Sequence, residues 1–195
     1  MKIIGITGTI YCGKTTASKI IKKNYHAHIL NADDVYHDLI KPRKDLYYNV
    51  VNAFGKIILN KDNFEIDRKK LSKIAFNNID KLKTLNKITH NNIILEIEKK
   101  IIDIKKKDYD FIIVDAPLLF ETEFYLKCDK NILIYCSKRK KYERLETYKK
   151  NILKREKFQM DFKSSKKLAD FIIFNNKTKI DLENNIKKIF TDILI

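Results

Sequence analysis

Gly8-Thr9-Ile10-Tyr11-Cys12-Gly13-Lys14-Thr15 is the stretch on which the fold turns, and its spacing is G-x-x-x-x-G-K-[ST]. Ile3-Ile4-Gly5-Ile6-Thr7 before it has a strand pattern, and Thr16-Ala17-Ser18-Lys19-Ile20-Ile21 after it reads as a helix. Strand, loop and helix in that order are the context the motif requires. Glycines let the backbone curl so that successive N–H groups face phosphate oxygens, and the positive end of the new helix reinforces the attraction. Lys14 is expected to bridge the β- and γ-phosphates and the Thr15 hydroxyl to ligate Mg²⁺. Only four glycines occur in the chain, and Gly5, Gly8 and Gly13 all fall here. At that composition, chance would produce the pattern in roughly one sequence in a thousand. The stretch points to a nucleoside triphosphate, read as Mg-ATP.

Outward from the loop, short β-branched runs alternate with amphipathic stretches. Strands are expected at Lys2 to Thr7, Ala27 to Asn31, Phe111 to Asp115, Asn131 to Cys136 and Phe171 to Phe174. Several are continuously apolar, as strands covered on both faces by helices should be, which favours a parallel α/β sheet. Between Tyr36 and Lys107 no strand pattern is convincing. There Leu71, Ile74 and Ala75, then Leu82, Leu85, Ile88, Ile93, Leu95 and Ile101 recur at helical spacing. The expected organisation is one domain over 1–195, with a nucleotide-binding core (1–35 and 108–195) carrying a helical acceptor-binding insertion (36–107). A lysine-rich helical stretch from Lys138 to Lys167 contains an expected lid (138–157), and a helix from about Ile180 to Ile195 follows.

Composition bounds the rest. The 195 residues carry 44% hydrophobic and 34% charged side chains, a balance that fits a packed domain rather than disorder. No apolar run approaches the roughly 20 residues a membrane helix needs. The first residues enter a strand pattern with no secretory signal, so a cytoplasmic location is expected. Cys12, Cys128 and Cys136 lack zinc-type spacing, which argues against a disulfide framework or structural metal. The formal charge of +16 fits either an anionic partner, with nucleic acid the first guess, or a coding bias toward lysine, since only five arginines occur.

The strand after the insertion ends Asp115-Ala116-Pro117-Leu118, and no N-K-x-D follows, which disfavours a GTPase. A small phosphotransferase whose mobile segments exclude water fits better. Strand two ends in Asn31-Ala32-Asp33-Asp34, and ligands of parallel sheets sit beyond the carboxyl ends of strands. Asp33 can there take the proton of an acceptor hydroxyl or help hold Mg²⁺; alternatively Asp33 or Asp34 caps a helix from Val35 to Ile40. Asp115 ends a buried strand as a Walker-B-like acid would, although a proline follows after one residue, and it is read only as an indirect partner of Mg²⁺. Cys12 is either a reactive thiolate beside an electropositive helix start or an inert filler.

Taken in order, the loop, Asn31-Ala32-Asp33, Phe54-Gly55, Asp67-Arg68, Leu85 with His90, Pro117-Leu118-Leu119-Phe120-Glu121 and Ala169-Asp170-Phe171-Ile172-Ile173-Phe174-Asn175 resemble the dephospho-CoA kinase family over nearly the whole chain. The resemblance implies a five-stranded parallel sheet of P-loop kinase type. It also implies transfer of the ATP γ-phosphate to the 3′-hydroxyl of dephospho-CoA, the last step of coenzyme A synthesis. In that reading Asp33 is the base, and Gly8, Tyr11, Cys12, Gly13, Lys14, Thr15, Thr16, Arg144 and Asn175 bind ATP. Arg68, His90 and Arg155 join Asp33 at the acceptor, Arg155 and Gln159 match an Arg-x-x-x-Gln, and Asn175 lies near adenine. Partners are then the two small substrates, with no membrane, no specific nucleic acid, and a monomer or weak homo-oligomer. Other readings are a different small nucleoside or nucleotide kinase, an ATP-gated nucleic-acid-binding protein, or an inactive kinase.

Several positions depart from the family pattern. Tyr11 and Cys12 replace glycine and serine in the loop, Asn31 replaces an aspartate, and His37 replaces a frequent arginine. Asn91 stands for proline and Tyr148 for a second lid arginine, for which Lys149 or Lys150 could substitute only as point charges.

Overall fold

Five strands, β1 (Lys2–Gly8), β2 (Ala27–Asn31), β3 (Phe111–Asp115), β4 (Lys130–Tyr135) and β5 (Phe171–Phe174), form one sheet in the computed structural model, which describes residues 1–144 and 159–194. The order is β2-β3-β1-β4-β5 and every pairing is parallel. β1 and β3 therefore lie inside the sheet, and β3 is buried along its whole length, as its unbroken Phe-Ile-Ile-Val run requires. Parallel neighbours need crossovers, and helices supply them. Eight α-helices occur among the described residues: α1 (Lys14–Asn24), α2 (Ala32–Leu39), α3 (Asp45–Phe54), α4 (Arg68–Phe76), α5 (Ile79–Lys105), α6 (Lys138–Arg144), α7 (Phe162–Leu168) and α8 (Lys179–Leu194).

The chain divides into two compact units, 1–31 with 101–195 and 32–100. In the first, Ile4, Ile6, Ile113, Ile132, Ile134 and Ile173 pack with Ala17, Ile20 and Ile21 of α1 and Leu182, Ile186 and Phe190 of α8. Tyr25 stacks on Phe190 at 4.3 Å and meets Phe111 edge-on at 6.1 Å, closing one end of that core. Side chains alternate across a strand, so Tyr135 faces away from Ile132 and Ile134 and packs on Phe162 of α7 at 4.0 Å. The second unit is helical apart from an isolated bridge between Leu59 and Ile66. Its longest element, α5, buries Leu82, Thr89 and Ile97 at about two-turn spacing and continues into the first unit with buried Ile101 and Ile104. No helix among the described residues is long and apolar enough to cross a membrane.

Several boundaries differ from the sequence reading, among them the end of β1, which runs one residue further to Gly8. β4 starts at Lys130, which pairs with Ile4, and ends at Tyr135, the last residue in register with β5, so Cys136 lies outside it. α2 starts at Ala32 rather than Val35, which places Asp33 and Asp34 inside its first turn rather than ahead of it. Carboxylates are favoured there by the unpaired N–H groups of the helix start. The expected helical run from Lys138 to Lys167 breaks near Met160, because Asp161 accepts from the Ser164 amide and caps a new helix, α7. Arg155, Tyr148, Lys149, Lys150 and the expected lid beyond Arg144 lie outside the described residues.

Candidate active site

The loop between β1 and α1 owes its shape to two glycines. A Cβ at Gly8 would overlap the Ile134 carbonyl oxygen of the neighbouring strand. Gly13 caps α1 at φ 96°, ψ 19°, where an L side chain is strained, and a Cβ there would also overlap the Asn175 amide. The first i→i−4 bond of α1 runs from Ala17 to Gly13, so the amides of Lys14, Thr15 and Thr16 have no intrahelical carbonyl. An anion at that end is favoured by these donors and by the helix dipole. Thr15 is exposed, leaving its hydroxyl accessible.

Lys14 reaches across to Asp115, the last residue of β3, and forms an ion pair with its Oδ1. Asp115 is 1% exposed, and its Oδ2 accepts from Ser18 Oγ at 2.8 Å. β3 pairs with β1 so that Asp115 lies opposite Ile6, just before the loop, which brings the acid to the lysine. Ser18 escaped the sequence reading, although its position four residues after Lys14 puts both on one face of α1.

The outer side of the loop is held by side chains from remote parts of the first unit. Arg144 donates to the Tyr11 carbonyl at 3.2 Å and to the Asn175 carbonyl at 3.0 Å. Asn175 is buried, its side-chain amide donates to the Cys12 carbonyl at 2.8 Å, and its own N–H donates to the Tyr135 carbonyl at 2.7 Å. Gln159 accepts from the Ile10 amide and donates to the Pro117 carbonyl, each at 3.1 Å. Arg144 and Asn175, both expected to touch ATP, thus brace the loop that would carry it. Cys12 is fully buried, and desolvation pushes its thiol up to about 12, which favours the neutral thiol of a small filler over a reactive thiolate. Glu121 accepts from the Met160 amide at 2.6 Å, and burial raises its carboxyl above the ordinary value.

In the helical unit two of the expected residues, Asp33 and Arg68, share a neighbour in Tyr36. Asp33 and Arg68 are both exposed, and both act on the phenol of Tyr36, which is pushed up to about 12 by burial first, with Asp33 adding to the shift and Arg68 opposing it. Arg68 Nη1 lies 2.6 Å from His37 Nε2, and because a guanidinium can only donate, the histidine accepts from Arg68. Tyr36 was not singled out from sequence. His90 sits half-buried on α5, and burial lowers its pKa below the ordinary histidine value, favouring the neutral ring.

The protein-family model for dephospho-CoA kinase matches residues 2–181. The chain is 38% identical over 180 residues to the dephospho-CoA kinase of Carboxydothermus hydrogenoformans, covering 90% of this chain and 86% of that one. It is 35% identical over 195 residues to the dephospho-CoA kinase of Oceanobacillus iheyensis, covering 95% and 96%. Among solved structures, the dephospho-CoA kinase from Campylobacter jejuni superposes with a TM-score of 0.70 at 28% identity, over 98% of this chain and 96% of that one. A phosphate loop at the carboxyl end of the central strand of a parallel sheet, together with a family match across almost the whole chain, leads to one conclusion: the chain belongs to the dephospho-CoA kinase family.

Proposed function

We propose that this protein transfers the γ-phosphate of ATP to the 3′-hydroxyl of dephospho-CoA, forming coenzyme A and ADP. The observation that carries the reading is the family match over residues 2–181, which includes both the phosphate loop and Asp33. In the proposed reaction the loop amides and Lys14 receive the triphosphate, and Lys14 exchanges the Asp115 carboxylate for phosphate oxygens. Asp33, two residues past the end of β2, accepts the proton of the 3′-hydroxyl as that oxygen bonds to the γ-phosphorus and the bond to the ADP oxygen breaks. Arg68, with His37 holding its guanidinium, binds anionic oxygens of the acceptor, for which a planar fork is suited. His90 and Arg155 are assigned to the acceptor on the family pattern, and Tyr11, Thr16, Arg144 and Asn175 to the ATP side.

The residues present fit Mg²⁺. Thr15 offers an exposed hydroxyl and Asp115 a carboxylate, both hard oxygen donors, and no cluster of three or more His, Cys, Asp or Glu occurs among the described residues. Such a sparse protein contribution is usual for an ion that keeps waters and binds substrate phosphates. When bound, the ion would neutralise charge on the β- and γ-phosphates.

The test is CoA formation from dephospho-CoA and Mg-ATP by the purified protein, with nucleosides and nucleoside monophosphates as competing acceptors. Asp33→Asn should lower kcat by at least about a hundredfold while ATP affinity is kept, as loss of a general base predicts. An unchanged rate would remove Asp33 from the mechanism, and preference for another acceptor would overturn the assigned substrate.

A further inference from the structure

We infer that Gln159 is a positioning residue that sets the phosphate loop for nucleotide binding. The inference rests on the reading that the loop binds Mg-ATP. Gln159 joins two segments far from it in sequence: its Oε1 accepts from the amide of Ile10, in the loop, and its Nε2 donates to the carbonyl of Pro117, two residues past Asp115. An amide N–H can only donate and a proline carbonyl can only accept, so the partners themselves fix which end of the side chain is oxygen. A neutral side chain of this length that accepts at one atom and donates at the other is needed, which among the twenty residues means glutamine.

The surroundings hold that amide in place. The next residue, Met160, donates its backbone N–H to Glu121 at 2.6 Å, so two consecutive residues are tied to the segment 117–121. Thr7 Oγ1, at the end of β1, donates to the same Pro117 carbonyl at 3.3 Å. Ala116, between Asp115 and Pro117, extends the sheet ladder by donating to the Ile6 carbonyl at 3.0 Å. Gln159 therefore fixes the outer bend of the loop relative to the strand end that presents Asp115 to Lys14. The Ile10 amide is engaged by Gln159, while the amides of Lys14, Thr15 and Thr16 at the α1 start have no intrahelical carbonyl and are the donors left for an anion. Loss of the loop's shape should weaken nucleotide binding without touching the acceptor.

Two variants of nearly equal size test this. Gln159→Met removes both bonds; Gln159→Glu keeps the acceptor but sets a carboxylate oxygen against the Pro117 carbonyl until it is protonated, when it can donate again. The measurement is the Kd of Mg-ATP by calorimetry, relative to wild type at the same pH, with thermal melting as the check of folding. Both variants should bind about tenfold more weakly near pH 8, the loss expected for one or two hydrogen bonds. The Gln159→Glu deficit should shrink toward wild type near about pH 5, within the carboxyl range, while that of Gln159→Met stays. In turnover, KM for ATP should rise and KM for dephospho-CoA should not. Binding by Gln159→Met within about twofold of wild type, or a Gln159→Glu deficit independent of pH, would overturn the inference. If Gln159→Met does not fold, the pH dependence of Gln159→Glu decides by itself. The binding measurement needs no acceptor, so failure of wild type to form CoA would sink the proposed reaction and leave this result standing.

Discussion

Tyr11 holds a φ of 62°, a left-handed conformation in which a non-glycine residue is strained by roughly 1–2 kcal/mol. Glycine would adopt this conformation without strain, so the requirement lies in the backbone rather than in the side chain. Arg144 grips the Tyr11 carbonyl at 3.2 Å and Cys136 Sγ lies 3.8 Å from it, which together hold the residue where tyrosine does not prefer to be. Tyr11→Gly should therefore be more stable than Tyr11→Ala by about 1 kcal/mol in urea unfolding, since both remove the ring and only alanine keeps the strain. The reverse order would show that the left-handed conformation is not held in solution. Cys12 teaches the converse lesson. Its neighbourhood of loop amides and Lys14 lowers a thiol pKa, yet complete burial outweighs those contributions and favours the neutral thiol.

Between elements, the junction of β3 with α1 carries the most consequence. Asp115 was legible in sequence as an acid at the end of an apolar run, but its partners were not: Lys14 takes one oxygen and Ser18 the other. Removing one member of a pair buried this deeply leaves the other charge without its partner. Asp115→Ala should cost about 3 kcal/mol of folding stability, and a double variant with Lys14→Ala should cost clearly less than the sum of the single losses. Additive losses in urea unfolding would mean that the two groups do not interact. The start of α2 makes a related point. Chain pattern placed the helix at Val35, but Ala32 already turns, and the aspartates behind it occupy the first turn, where helix amides favour negative charge. The pairing of His37 with Arg68, 31 residues away, follows from folding of the helical unit and not from local spacing.

At the scale of the molecule, burial sets the response to acid. His90 and His28 both have pKa values lowered chiefly by desolvation, so the unfolded chain binds protons more readily than the native one. That sign makes their contribution constant above the unfolded value of about 6.5 and makes stability fall as pH drops below it. His90→Gln should flatten, without abolishing, the loss of stability between about pH 7 and about pH 5 in urea titrations; an unchanged slope would show that His90 is not desolvated. Charge is distributed with equal purpose in the proposed reading: residues 36–107 hold 17 basic and 9 acidic side chains and residues 137–167 hold 13 and 4, while the remainder is nearly neutral. Such segments attract polyanionic substrates as well as they would a nucleic acid. The phosphate loop, the five strands and the parallel class were determined by sequence alone, because glycine spacing and apolar runs are local signals that each segment carries by itself. What holds the loop in shape was decided only by the tertiary structure. Arg144, Gln159 and Asn175 stand 133, 149 and 163 residues from the loop atoms they bind. They reach them because β4 and β5 line up beside β1, and hydrogen-bond partners brought together by strand order leave no mark in the local pattern of either segment.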